Sequence, residues 1–299
     1  MDRDELRGRL QTLAAEVVTD PDRMGELAGA WASGFWSYSF GNLLLIMFQK
    51  PGASLCAGFN LWRSKGRHVK AGEKGLAILA PMIAGRRRRS SGDRGQALAF
   101  GDRGQGVKVG DGDPAEDDGP GQRPAGALLG FRVVYVFDVS QTEGEALDIG
   151  ANRVEGRAEL TLDAAAAAWP EYPLELVEHI TDGRTDGRRV LVSRRASKGQ
   201  ELVAYFHELG HILLEHVGPE AKRRDLSHDV RELEAEAVAY LCGSALGLDS
   251  KSSADYIRGW GGDRAKLEAS GVKVLSTAEK ILRRLGVVGA PAAGLEAGA

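Results

Sequence analysis

Apolar residues recur at helical spacing over residues 4–18 and 22–33, and the segment GNLLLIMFQK that follows reads as a short buried helix stopped by Pro51 and Gly52. NLWRSKG reads as one further helical turn, HVKAGEKG as a turn-rich basic loop, and the apolar run LAILAPMI as a strand. From Gly85 to Gly126 the pattern vanishes. Four arginines at 86–89 precede repeated Gly, Asp, Gln and Pro with almost nothing to bury, which predicts a flexible insertion. Apolar order resumes in ALLGFRVVYVFDVS, a strong strand, so the insertion is expected to join two strands of one sheet rather than two domains.

A domain boundary is expected near 145–160. Beyond it LTLDAAAAAW predicts a helix and RRVLVSRR a short strand. The segment SKGQELVAYFHELGHILLEHVGP predicts a longer helix, opened by the capping-box pair Ser197 and Gln200 and stopped by Gly218 and Pro219. Another helix is expected over 230–246, and SSADYIRGW and LSTAEKILRRLG predict two more. The predicted class is α+β. Residues 1–150 form a small α+β domain carrying the flexible insertion 85–126, residues 151–287 a mostly helical domain with a small sheet, and 288–299 a disordered tail.

Composition narrows the functional classes. The 299 residues suffice for two domains, and 42 acidic against 39 basic side chains leave no global charge to draw the chain onto nucleic acid or a membrane. Any such binding must come from a local patch. The two cysteines, Cys56 and Cys242, lie far apart without redox or zinc spacing. The charged start MDRDELRGRL and the brevity of the run LLLIMF predict a soluble cytoplasmic protein with no membrane partner.

The sharpest chemical signal is FHELGH at 206–211. Residues four apart on a helix differ by only about 40° in azimuth, so His207 and His211 can share one cation, with Glu208 beside them. In zinc hydrolases such a glutamate takes a proton from water acidified by the metal. A solvated helix face is the bland alternative, but the stripe Leu202, Phe206, Gly210, Leu213 and Val217 runs inward beside the motif. Catalytic zinc ordinarily has a third protein ligand. Val217 stands where one family of such enzymes places a third histidine, and a continuing helix would point His216 away. The remaining donors are the glutamates of RELEAEAVAY. Glu234 falls on the face opposite Glu232 and Glu236; Glu232 has capping-box spacing from Asp229, whereas Glu236 sits among apolar residues and wants a partner, so Glu236 is preferred and Glu232 is next. Zinc is the expected cofactor, with manganese or another divalent ion chemically admissible. His68, His179, His216 and His228 are read as ordinary surface or partly buried residues.

In the front half, Arg63, Lys65, Arg67, His68, Lys70 and Lys74 face a single acid, Glu73, within one short stretch, and Trp36, Tyr38, Phe59, Trp62, Tyr135 and Phe137 lie nearby in sequence. Cations alternating with aromatic platforms suit single-stranded nucleic acid, although each aromatic taken alone is more often a core residue.

HELGH followed at this distance by EAEAVAY resembles the ImmA/IrrE group of zinc metallopeptidases, in which the glutamate opening an EA pair on the next helix completes the site; Glu236 matches that position. The pieces NLLLI, with Asn42 at their head, FNLWRSKGRHVKAGEKGLAILAP and VFDVSQTEG resemble the N-terminal single-stranded-DNA-binding domain of the antirestriction protein ArdC of conjugative plasmids. Together the resemblances imply a zincin-like metallopeptidase domain behind an ArdC-like DNA-binding domain. They imply zinc on His207, His211 and Glu236, Glu208 as general base, Tyr240 as a candidate oxyanion partner and an unidentified protein substrate. DNA contacts would come from Trp36, Asn42, Trp62, Arg63, Lys65, Arg67, Lys70 and Lys74. The alternative is a DNA-binding antirestriction protein whose metal site is structural or vestigial.

Overall fold

The structure, a computed structural model, describes residues 2–35, 37–83, 128–146, 160–178, 180–194, 197–218, 226–248, 250–259 and 270–287. The insertion expected at 85–126, most of the boundary expected at 145–160 and the tail expected at 288–299 lie outside these residues. Contacts gather residues 1–80 with 133–299 into one compact unit, and 81–132 into another.

Side-chain caps start the first helices. Asp2 accepts from the Glu5 amide to open α1 (Arg3–Val17), and Asp20, with Pro21 as the first helical residue, opens α2 (Pro21–Ala30). A π-helical turn, Trp31–Phe35, continues α2, and Ser39 caps α3 (Phe40–Gln49). Next come β1 (Cys56–Gly58), α4 (Phe59–Ser64), β2 (Arg67–Val69), β3 (Leu76–Ile83), β4 (Leu128–Asp138), a 3-10 turn at Val139–Gln141 and β5 (Thr142–Gly144). The strands form a three-stranded sheet in the order β1-β4-β3 and a β2-β5 ribbon. As predicted, β3 and β4, the strands either side of the insertion, are neighbours in one sheet.

The second half holds α5 (Leu162–Ala167), then β6 (Leu174–Val177), β7 (Gly183–Thr185) and β8 (Val190–Ser193), with β8 central, parallel to β6 and antiparallel to the edge strand β7. Among the described residues four helices follow: α6 (Lys198–Leu213), α7 (His228–Leu246), α8 (Lys251–Gly259) and α9 (Gly271–Arg284). The central helix α7 is apolar on most of its circumference and packs against α6, α9, α2 and α8. One apolar core therefore runs through Leu6, Met24, Trp31 and Leu43 from the front half to Phe206, Leu233, Val238, Val274 and Ile281 from the back half. Close approach is built in at Gly271, where a Cβ would fall 2.7 Å from the Ala14 carbonyl carbon, so α9 lies directly on the backbone of α1. No described helix is long and apolar enough to cross a membrane.

One boundary departs from expectation. The helix carrying HELGH was to run to Gly218, but α6 stops at Leu213 with Leu214 as its cap. Glu215 takes a left-handed backbone (φ 64), and the His216 amide bonds back to the His211 carbonyl at 2.8 Å. The chain turns early because His216 has buried partners of its own.

Candidate functional site

The capping box of Ser197 and Gln200 fixes where α6 begins, and two turns later His207 and His211 project from one face toward the first turns of α7. Their Nε2 atoms are 3.0 Å apart. Glu232 of α7 meets both, at 3.4 Å from His207 Nε2 and 3.5 Å from His211 Nε2. In a tetrahedral shell with bonds of about 2.05 Å, neighbouring donors stand about 3.3 Å apart. The three measured separations bracket that value, so two imidazoles and one carboxylate form a donor set of the right size for one small divalent cation.

The glutamates of α7 take different stations from those the sequence suggested. Glu232, the second choice, is the one that faces both Nε2 atoms. Glu236, the preferred ligand, lies at the other nitrogen of His207, 3.4 Å from Nδ1. Glu234, set aside for pointing the opposite way, is buried and 2.8 Å from His216 Nε2, while His216 Nδ1 is 3.0 Å from His211 Nδ1. His216 was read as an isolated side chain on a continuing helix; the left-handed turn at Glu215 instead swings it beneath His211. The signal that could have located it is a glutamate amid an apolar helix face, which requires a buried polar partner.

Glu208 points from α6 into the cleft beside the edge strand β7. A Cβ on Gly183 would lie 2.9 Å from Glu208 Cγ and 3.0 Å from Oε1, so only glycine leaves this carboxyl its place. Burial, with Glu232 and Glu236 adding to it against the opposing pull of His207, pushes the Glu208 pKa up to about 7. His207 moves the other way from its surroundings: burial would depress it, but hydrogen bonding to Glu232 and Glu236 raises it to about 10. The same contacts hold Glu232 well below the usual carboxylate range. These groups line a cavity of about 910 Å³ that also takes in Arg184 and Thr185 of β7, Arg231, and Ser252 and Ser253 of α8. Tyr240 is elsewhere: its hydroxyl lies against Gly25 of α2.

The expected DNA-contact residues separate into two groups. Trp62 is 2% exposed and donates its indole N–H to the Phe137 carbonyl at 2.8 Å, a core position. Asn42 pairs both ends of its amide with the Leu79 backbone of β3, at 2.9 Å each way. Arg67 is spent on Thr142 and the Glu145 carbonyl, and Lys70 donates to the Ser140 carbonyl. Arg63, Lys65 and Lys74 are exposed. Trp36 lies outside the described residues. Of the aromatics expected beside the basic stretch, Phe59 is 53% exposed and edge-on to Phe137, and Tyr135 is 54% exposed. Gly75, next to Lys74, lies flat against Tyr135 and Phe137.

Residues 16–109 match the N-terminal domain of the anti-restriction factor ArdC. The fold is also that of ArdC: its metal-free crystal structure, from the R388 plasmid, superposes with a TM-score of 0.52 over 93% of this chain and 96% of ArdC, at 15% identity. The Mn(II)-bound crystal structure of ArdC gives a TM-score of 0.49 at 16% identity over 93% of this chain and 98% of that one. An uncharacterized protein of Bacillus anthracis, pXO2-81, is 24% identical over 94% of this chain. The chain spans about half the length of that curated relative, 51%.

Proposed function

We propose that this protein is an ArdC-like antirestriction factor that binds single-stranded DNA through its front half and carries a divalent-metal peptidase centre in its back half. The observation that carries the hydrolytic reading is the pairing of a convergent donor set, His207, His211 and Glu232, with a buried carboxyl, Glu208, that lines the same cavity from the helix of the two histidines. Zinc is the favoured ion for two imidazoles and a carboxylate; manganese fits the same donors less tightly. Bound there, the cation supplies Lewis acidity toward water and toward a peptide carbonyl.

The chain's own residues do the rest. A carboxylate held in the cavity beside the donor set can take a proton from water at Oε and, once protonated, return it to a departing amine, the two duties of a general base that becomes a general acid. Gly183 leaves room for that carboxyl, and the edge position of β7 offers backbone groups on which an extended peptide can add as a further strand across the cavity. Arg184 of β7 and Arg231 of α7 bring positive charge to the same cavity.

For the front half, Phe59 and Tyr135 supply base-stacking faces, and Arg63, Lys65 and Lys74 supply phosphate contacts. Trp62, Asn42 and Arg67 serve by holding that surface in shape rather than by touching DNA.

The test is proteolysis. Purified wild type and Glu208→Gln, both loaded with zinc, are incubated with an unfolded protein mixture with and without single-stranded DNA, and new N-termini are read by mass spectrometry. New termini from wild type and at least a hundredfold fewer from Glu208→Gln are expected, in line with the loss of a general base. Equal, null profiles from both, with metal bound, would leave the centre as a structural site in a DNA-binding protein.

A further inference from the structure

His216 and Glu234 are both buried, with side-chain exposures of 1% and 0%, yet neither belongs to the convergent donor set. They are joined to it in series. Glu234 Oε2 lies 2.8 Å from His216 Nε2, and His216 Nδ1 lies 3.0 Å from His211 Nδ1. An ionised carboxylate only accepts, so the first bond places a proton on His216 Nε2. With His216 as a neutral imidazole its one proton is then on Nε2 and Nδ1 accepts, so the second bond puts the proton of His211 on Nδ1; an imidazolium at His216 would reverse this, and the tautomers, read by NMR, tell the two apart. His211 Nε2 is left with a free lone pair, and that nitrogen is the one facing His207 and Glu232.

We propose that Glu234 and His216 form a buried positioning relay that holds His211 in its Nδ1–H tautomer and presents its Nε2 lone pair to a divalent cation. The proposal rests on reading His207, His211 and Glu232 as the metal centre. The backbone is arranged for the relay: Glu215 takes a left-handed conformation, and the His216 amide and carbonyl are tied to the His211 carbonyl at 2.8 Å and to Arg231 at 3.4 Å. Glu236 does the same for His207 in one step, at Nδ1. Both imidazoles are thus backed by carboxylates of α7. An ionised acceptor at the far end also strengthens the near nitrogen as a donor. A plain pin between the end of α6 and α7 would not depend on which nitrogen holds the proton, whereas the relay does.

The test has two arms on the full-length chain. Long-range nitrogen–proton NMR of the metal-free wild type reads the tautomers, with Nδ1–H at His211 and Nε2–H at His216 expected. Competition with a chromophoric chelator then reads zinc affinity in wild type, Glu234→Gln, His216→Gln and Glu232→Gln. Glu234→Gln and His216→Gln are expected to bind zinc about 10–100-fold more weakly with circular dichroism unchanged. A bare Nδ1 at His211 in the wild type overturns the proposal without any variant. Wild-type affinity in Glu234→Gln, alongside loss of zinc in Glu232→Gln, overturns the relay and leaves the metal centre standing. No zinc uptake by the wild type removes the centre and the relay together.

Discussion

Glu215 holds a backbone that glycine adopts freely and other residues adopt at a cost (φ 64), and it does so at the point where the chain must turn to bring His216 under His211. Its carboxylate meets Lys273 at 3.1 Å, but both side chains are substantially exposed, so that ion pair contributes at most about 1 kcal/mol. Glu215→Gly is therefore expected to leave stability within about 1 kcal/mol of wild type, and Glu215→Val to lower it by about 1–3 kcal/mol. Urea unfolding of the two variants checks this; a glycine variant as damaged as the valine one would show that the ion pair, not the turn, matters at this position. A second contrast separates platform from core. Phe59→Ala and Tyr135→Ala should each weaken single-stranded-DNA binding by about 1–3 kcal/mol with the fold intact. Trp62→Ala, which empties a buried site, should instead unfold the protein at lower urea. Fluorescence anisotropy with a labelled oligonucleotide distinguishes them, and normal binding by Phe59→Ala and Tyr135→Ala would remove these rings from the DNA surface.

Between elements, Asp138 joins the end of β4 to the approach to β1. Its carboxylate accepts from the amides of Ser54 at 2.8 Å, Leu55 at 3.2 Å and Ser140 at 3.0 Å. Burial works to raise its pKa, and hydrogen bonding to the Ser140 side chain together with these amides outweighs it, so the folded carboxyl lies below the usual value. A depressed folded pKa contributes stability that is complete above the unfolded value of about 3.9 and is lost as pH falls through the folded one. Asp138→Asn should lower stability at pH 7 by about 1–3 kcal/mol and flatten its fall below pH 4. Urea midpoints measured from pH 7 to pH 3 decide the point, and parallel profiles for the two proteins would contradict it. At this scale much was legible in the sequence. Helical periodicity placed α1 to α3 and α7 close to their observed spans, and the capping box of Ser197 and Gln200 placed the start of α6. The strands β6 and β7 were not legible: LELV and GRT are too short to show alternation, and their pairing is supplied by β8 rather than by their own pattern. The end of α6 was misread for a related reason. Gly218 and Pro219 are sound stop signals, but the stop is set earlier by a histidine whose partner lies eighteen residues further on.

In the molecule as a whole, the glutamates of α7 decide the chemistry, and helical phase alone could not rank them. Phase correctly separated Glu234 from Glu232 and Glu236. It could not foresee that His207 offers a nitrogen to each of two carboxylates, or that Glu234 reaches the site through His216. The same helix packs on α2 from the front half and on α6 from the back, so the centre is seated in the core that both halves share. Because the metal binds the folded chain, its loading should also raise the thermal midpoint. The decisive measurement is metal per chain, by mass spectrometry, in wild type, Glu232→Gln and Glu236→Gln dialysed against the same zinc solution. About one zinc per chain in wild type, a weaker but present zinc in Glu236→Gln and none in Glu232→Gln is the predicted result. Zinc retained by Glu232→Gln and lost from Glu236→Gln, or absent from all three, would contradict it.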